Sequence, residues 1–192
     1  MSGNPNNVVS GVGRIYYGAF GAVEPTDASM SPYTVPDPAV WTDFGDTSGG
    51  FVWEDDLPST DLIVDQRLRP IGARYVAGSA MTTINVALAE ATLANYAVIV
   101  NQMVTSTSGT GWAKQEAQVG GLPPLPQYAA ILVDGWAPGG FRRRLIGRKA
   151  LSKPKVQKAF VQDGKISTLA ATWTLYEVSD SIAPWANIDQ TA

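Results

Sequence analysis

The amino-acid sequence predicts a mainly β fold, a β-sandwich or barrel with one flanking α-helix, on three observations. Short segments rich in β-branched and aromatic residues alternate with turns of Gly, Pro, Asp and Ser. Several of these segments alternate between apolar and polar residues, as expected of strands with one buried face. Apolar residues recur at helical spacing over one stretch only. With 192 residues, the chain fits one domain, or one domain with extended arms.

Strands joined by loops are predicted throughout the first half of the chain. The first strand is predicted within 8–22, where Val, Ile, Tyr and Phe lie among glycines. Residues 24–38, rich in Pro, Ser, Asp and Thr, are predicted to form a loop. Further strands are predicted at 40–44, 50–54, 61–68 and 73–87. The Asp, Ser and Gly residues of 46–50 favour a hairpin turn between the second and third strands.

The stretch 88–104 has the composition and spacing of an amphipathic helix. It is rich in Leu and Ala, and Glu90 lies in the first turn, where a negative charge suits the helix dipole. One apolar stripe follows the 3.6-residue period. Its members are Ala89, Leu93, Tyr96, Ala97, Val100 and Val104. The helix is predicted to end at the polar loop 105–111.

The second half returns to strand patterns after the Pro-rich segment 122–126. The strands are predicted at 128–136, 141–151, 156–162 and 170–178. The predicted domain therefore covers 8–178. Residues 1–7 and 179–192 are predicted to be N-terminal and C-terminal arms.

The composition excludes several kinds of chemistry. The chain has no Cys and no His, which removes thiol nucleophiles, thiolate zinc sites and the commonest general base. The polar start of the chain is unlike a signal peptide, and no apolar run reaches membrane-spanning length. We expect a soluble protein without cofactor, metal or membrane partner.

Opposite charges are concentrated in two separate segments. Residues 24–65 contain ten acidic residues and no Lys or Arg. Residues 141–165 contain nine basic residues and one acid, Asp163. The net charge of −3 therefore hides one segment at −10 and another at +8.

Three interpretations of the charged segments remain open. They could neutralise each other within one molecule. They could instead lie on different faces, so that the acidic surface of one copy meets the basic surface of the next, a heterologous contact that propagates. The basic segment could also contact nucleic acid, but it has few aromatic stacking partners and the whole chain is acidic.

The short motifs favour structural roles. Gly11, Gly13 and Gly18 miss the dinucleotide-binding spacing, and 108–114 lacks the ending of a phosphate-binding loop. The cluster of acids in 54–65 matches no Ca²⁺ loop, and a solvated or interfacial acidic loop is favoured there over a metal site or a catalytic carboxylate pair. Six tryptophans suit a core or a subunit interface better than a sugar platform.

The order of these elements resembles that of the major tail tube proteins of long-tailed (siphovirus-type) bacteriophages. The likeness spans about residues 8–180. It is carried by Trp41-x-x-x-Gly45, Gly49-Gly50, Val64-Asp65-Gln66, Pro70-Ile71, the strand-to-helix run Val86–Tyr96 and the late strand Thr172–Tyr176. The resemblance implies a β-sandwich with one flanking helix, a fold shared with the type VI secretion tube protein.

The resemblance also implies a function and partners. Six copies would form a ring, and stacked rings would form the tail tube through which genomic DNA leaves the head without tight binding. Other partners would be the tape measure, tail terminator and tip proteins. The chain would be a non-enzymatic virion component assembled in the host bacterial cytoplasm. A long hairpin loop near 46–61 and the two arms would join one ring to the next.

The predicted contacts between subunits pair the two charged segments. The acidic side is Asp46, Glu54, Asp55, Asp56, Asp61 and Asp65; the basic side is Arg142, Arg143, Arg144, Arg148 and Lys149. Alternatives are a carbohydrate-binding β-sandwich module, a glycosidase using two acids of 54–65, and a head–tail joining or capsid decoration protein.

Overall fold

The chain folds into an antiparallel β structure with one short helix. The computed structural model describes residues 13–63, 69–76, 78, 80–101, 104–117, 125–153 and 168–191. Its elements, in chain order, are β1 (Arg14–Ala19), β2 (Thr42–Asp43), β3 (Thr47–Asp56), β4 (Ser59–Leu62), β5 (Gly72–Tyr75), β6 (Met81–Leu88), α1 (Leu93–Ile99), β7 (Val104–Gly109), β8 (Trp112–Ala117), β9 (Ala129–Trp136), β10 (Arg142–Ser152), β11 (Leu169–Leu175) and β12 (Trp185–Asp189). The predicted fold class, mainly β with one helix, is confirmed.

Strand β10 joins the two halves of the main sheet. The strand order is β2-β1-β9-β10-β11-β6-β3, and β12 also pairs with β10. Residues 142–147 of β10 lie between β9 and β12, whereas residues 150–152 pair with β11. An irregularity in the pairing with β9 separates Gly147 from Ala150, and such bulges bend a strand. The two halves therefore face each other as the layers of a sandwich.

Apolar side chains fill the space between the layers. Ile15 of β1 and Ile131 of β9 meet Ile84 of β6 and Trp173 of β11 in one buried cluster. The ring of Phe44 lies 5.4 Å from that of Trp173. A second, smaller cluster lies on the outer face of β1, β9 and β10, beneath the segment 20–41. Its buried members are Tyr16, Trp41, Ala130, Leu132 and Ile146.

The helix is shorter than the predicted span of 88–104. Residues up to Leu88 remain in β6, and α1 begins after Thr92, whose hydroxyl accepts a hydrogen bond from the Asn95 amide at 3.1 Å. Asn101 has a φ of 56°, which ends the helical path. The buried positions are Asn95, Ala97 and Ile99, so within α1 only Ala97 of the predicted apolar stripe is buried. The predicted loop after the helix is instead the β7–β8 hairpin.

Residues 46–50, predicted as a turn, lie within the longer strand β3 and just before it. Gly49 and Gly50 have φ values of 81° and 79°, and the pairing with β6 is irregular between Thr47 and Phe51. Gly49 and Gly50 therefore form an irregularity within β3 instead of a hairpin turn. The predicted acidic loop 46–61 is mostly strand: it contains β3 and most of β4, and β4 pairs with β5 in a separate hairpin.

The predictions for the C-terminal half are mixed. Strands β9, β10 and β11 occupy the predicted segments within a few residues. The predicted arm 179–192 contains β12, which pairs with β10 of the same chain. The predicted strand 156–162, the predicted N-terminal arm 1–7 and Asp65 lie outside the described residues.

Candidate assembly surfaces

Arg144 is buried and paired within the chain. Its Nε and Nη2 donate to the two carboxylate oxygens of Asp134 at 2.6 and 2.9 Å. Tyr33 donates its hydroxyl to the same carboxylate at 2.7 Å. The remaining donors reach Ser29 Oγ at 2.8 Å and the Thr34 carbonyl at 3.0 Å. Arg144 thus fixes the segment 29–34 over the outer face of β9 and β10.

Two further arginines of β10 form bidentate pairs with carboxylates of the same chain. Arg143 donates to both oxygens of Asp189 at 2.7 Å each, which lowers the pKa of that carboxyl group. Arg148 donates to Glu24 at 2.5 and 3.1 Å. These pairs hold β12 and the start of the segment 20–41, which we call the outer segment, against β10.

The other two basic residues of this run lie against aromatic rings. The Arg142 guanidinium is 3.8 Å from the centre of the Trp136 ring. The Lys149 amine is 4.9 Å from the centre of the Tyr128 ring and donates to the Glu177 backbone carbonyl at 3.1 Å. All five predicted interfacial cations therefore have intrachain contacts. Their predicted contact with an acidic loop concerns a second copy and stays a prediction.

The acidic residues of the predicted interface lie on the surface at two separate places. Glu54, Asp55 and Asp56 are exposed together at the end of β3. Asp46 is exposed just before β3, so most of that ten-residue strand separates it from them. Among the described residues, Glu24–Arg148 is the only ion pair that joins the acidic segment 24–65 to the basic segment 141–165.

Asp55 accepts a hydrogen bond from the Thr82 hydroxyl at 2.5 Å. Asp61 is exposed in β4. Within the described ranges, no group of three or more acids is arranged to hold a metal ion. No helix in the described part of the chain is long and apolar enough to span a membrane.

The partners of the arginines were missed at the sequence level. Asp134 and Asp189 lie outside the acidic segment 24–65, so the charge count of that segment does not include them. A signal for Asp134 was present, because it follows the apolar run Ala129–Val133 and a carboxylate in a buried strand requires a counter-charge.

The tryptophans do not form a shared sugar-stacking surface. Trp41 and Trp173 are buried in the two cores. The rings of Trp53 and Trp185 meet edge to face at 6.2 Å, and Trp136 lies beneath Arg142. Trp112 is exposed on the separate β7–β8 hairpin.

The β4–β5 hairpin exposes apolar side chains on a two-stranded element. Every residue of both strands is exposed. The large apolar side chains around it are between 40% and 74% exposed: Leu57, Leu62, Ile63, Ile71, Tyr75 and Val76. An isolated hairpin is marginally stable in water. Exposed apolar surface of this kind is typical of sites that contact another molecule.

Comparison with known proteins identifies the family. The sequence model of the family described as "Phage tail tube protein" matches residues 1–133, more than half of the chain. No curated protein matches the sequence. Among solved structures, a chain of the anti-feeding prophage baseplate (a cryo-EM structure, 6-fold symmetrised) is similar with a TM-score of 0.41 and 10% identity, over 98% of this chain and 97% of that one. On its family match, the chain belongs to the phage tail tube proteins and is a structural component of a bacteriophage tail.

Proposed function

We propose that this chain is the subunit of the tail tube itself, which assembles with copies of itself into rings of six that stack around a lumen for DNA. It acts without catalysis, and its other partners are the tape measure, terminator and tip proteins. The observation that carries the proposal is the exposed apolar β4–β5 hairpin. Its exposed apolar side chains suit contact with a neighbouring copy.

The hairpin supports assembly on energetic grounds. Burying apolar surface contributes about 25 cal/mol per Å², which is about 1.5–3 kcal/mol for each large apolar side chain that passes from full exposure to full burial. A monomer would leave this surface in water, where it favours association. In a tube, the same surface would be covered in every subunit.

Two sheet edges supply a second contribution. Among the described strands, β3 pairs only with β6, and β12 pairs only with β10. An exposed edge offers unpaired N–H and C=O groups to a strand of another molecule. We propose that strand addition at these edges joins neighbours within a ring.

The charged residues have different roles in this proposal. The exposed acids Asp46, Glu54, Asp55, Asp56 and Asp61 would lie at contacts with neighbours or repel DNA phosphates from the lumen, and Asp65 is proposed with them on its sequence position. We also propose that the β10 cations contact acidic residues of a neighbouring copy. Because they already have intrachain contacts, a neighbour's carboxylates would extend existing networks.

Negative-stain microscopy of the purified chain tests self-assembly. We expect annuli or tubes, and shorter tubes at raised salt if charge contacts contribute. A particle that stays monomeric in analytical ultracentrifugation at high concentration, with and without added tail tip proteins, would contradict the proposal.

A further inference from the structure

An open cleft lies at one end of the layer formed by β11, β6 and β3. It has a volume of about 760 Å³ and is bounded by the ends of β3 and β6 and by the segment 177–185. Its lining is largely apolar and includes Leu57, Met81, Leu175, Ile182, Pro184 and Trp185. Trp185 is held in place by its edge-to-face contact with Trp53.

Four carboxylates surround this apolar lining. They belong to Asp55, Asp56, Glu177 and Asp180, and all four residues are exposed. None of them forms an ion pair with another described residue. Lys149 approaches Glu177, but it donates to the backbone carbonyl. The cleft therefore combines an apolar floor with about four uncompensated negative charges, which suits a segment that carries lysines.

The described residues on either side of the lysine-rich segment lie away from the cleft end of this layer. Lys153 donates its backbone N–H to the Thr172 carbonyl midway along β11, and Leu169 begins β11 at the other end. The strand register places Asp56, Met81 and Leu175 at the cleft end, and Leu88 and Leu169 at the other end. β10 runs away from the cleft as it reaches Ser152. At about 3.3 Å per residue, the seven residues of β11 separate the two ends by about 20 Å.

Residues 155–165 follow β10 in the sequence and carry three lysines, Lys155, Lys158 and Lys165, against one acid, Asp163. Copies stacked in the same orientation would bring the Leu169 end of this layer in one molecule, where the chain returns from the lysine-rich segment, towards the cleft of the next. The exposed Arg74 lies in β5 and the exposed Arg69 shortly before it, in the part of the chain that follows β3 from the cleft end. Same-orientation stacking does not bring these two arginines to a neighbour's cleft.

We propose that the cleft binds residues 155–165 of a second copy, with lysine ammonium groups on the four carboxylates and their alkyl stems on the apolar floor. This inference rests on the proposed self-assembly and names one of its contacts. The two surfaces differ, so the contact is heterologous and can repeat along a tube without closing.

Zero-length carbodiimide cross-linking of assembled tubes tests the contact directly. Tubes are grown from an equal mixture of unlabelled and ¹⁵N-labelled protein, so that peptides joined between molecules carry both labels. We expect mixed-label peptides that join Lys155 or Lys158 to Asp55 or Asp56. Cross-links at these sites within single molecules only would overturn the inference, because the segment would then occupy its own cleft.

Charge exchange supplies an independent measurement. The cleft variant Asp55→Lys/Asp56→Lys and the segment variant Lys155→Glu/Lys158→Glu should each shorten tubes about tenfold or more, and an equal mixture of the two should restore them. The matched control, Asp27→Lys/Asp37→Lys, makes the same charge change at exposed positions away from the cleft.

The outcomes separate this inference from the proposed function. The inference would be overturned if wild-type tubes lacked the mixed-label cross-links, or if the cleft variant formed tubes as long as those of the wild type. Either result would leave self-assembly standing. Wild-type protein that forms no tubes would overturn both. Thermal melting of each variant at low concentration checks that the subunit itself is folded.

Discussion

Arg144 and Asp134 form a bidentate ion pair on neighbouring strands, with both side chains almost completely removed from solvent. Their side chains are 0% and 3% exposed, and the shorter N–O distance is 2.6 Å. A buried charge is tolerated only when it is paired and hydrogen-bonded, and here Tyr33, Ser29 and Thr34 complete the network. The pair therefore specifies how the outer segment lies on the sheet.

Removing one partner of this pair should be strongly destabilising. We expect Asp134→Ala to lower the free energy of unfolding by about 3–5 kcal/mol, because it leaves the Arg144 charge buried without a counter-charge. The double variant Asp134→Leu/Arg144→Met should recover part of that loss. Urea denaturation of the monomer at low concentration measures both. The half-exposed pair provides the control, since Asp189→Ala should cost less than about 1 kcal/mol; equal losses at the two sites would contradict the prediction.

Tyr33 should make the protein sensitive to alkali. Burial, together with the hydrogen bond to Asp134, raises its pKa from 10.0 to about 12. A raised pKa means that the folded state keeps the proton that the unfolded state releases, so this stabilisation is complete below pH 10.0 and is lost as the pH rises to about 12. Stability measured by urea denaturation should fall across that window, and Tyr33→Phe should fall less steeply. A tyrosine absorbance titration in which Tyr33→Phe removes a group of ordinary pKa would contradict this.

Asp189 should make the protein sensitive to acid, because its stabilisation is lost at low pH, whereas that of Tyr33 is lost at high pH. The hydrogen bond from Arg143 lowers the pKa of its carboxyl group below the ordinary value of 3.8. Its stabilisation is therefore present above pH 3.8 and is lost as the pH falls through the lower folded value. We expect Asp189→Asn to reduce the acid-induced fall in melting temperature. The effect should stay below about 1 kcal/mol because the pair is partly exposed to solvent. A melting curve with the same pH dependence in wild type and variant would argue against it.

The β4–β5 hairpin should be needed for assembly and not for folding. Leu62→Asp/Ile71→Asp replaces two exposed apolar side chains, so the monomer should lose no more than about 0.5 kcal/mol of stability per site. Tubes should be absent or about tenfold shorter in negative stain, because charges would enter a buried interface. Ser106→Asp on the other hairpin is the control. Normal tubes from the Leu62→Asp/Ile71→Asp protein would show that another surface carries assembly.

Local patterns were sufficient to predict the strands that cross the core. Residues of β9 and β11 alternate between the two faces or form short β-branched runs. These patterns indicate a strand whichever other strands it pairs with. The helix was less predictable because Val86–Leu88 continues a strand that β11 pairs with on one side and β3 on the other. Pairing between strands far apart in sequence overrode the helical propensity of Leu and Ala.

The charged surfaces were predictable only in part. Counting charges by segment singled out Glu54, Asp55 and Asp56 of β3, which lie exposed on the surface, because the segment 24–65 contains no Lys or Arg. It did not reveal that Arg143 and Arg144 pair with carboxylates 46 and 10 residues away. Such pairs depend on strand register, which a single sequence leaves open when several strands could be neighbours.

The continuity of β10 has a mechanical consequence. One covalent strand passes from the layer containing β9 and β12 to the layer containing β11. A pull that drew the layers apart would load this backbone together with the hydrogen bonds along both of its sides. The bend between Gly147 and Ala150 would be the first place to yield, since the ladder with β9 is already interrupted there.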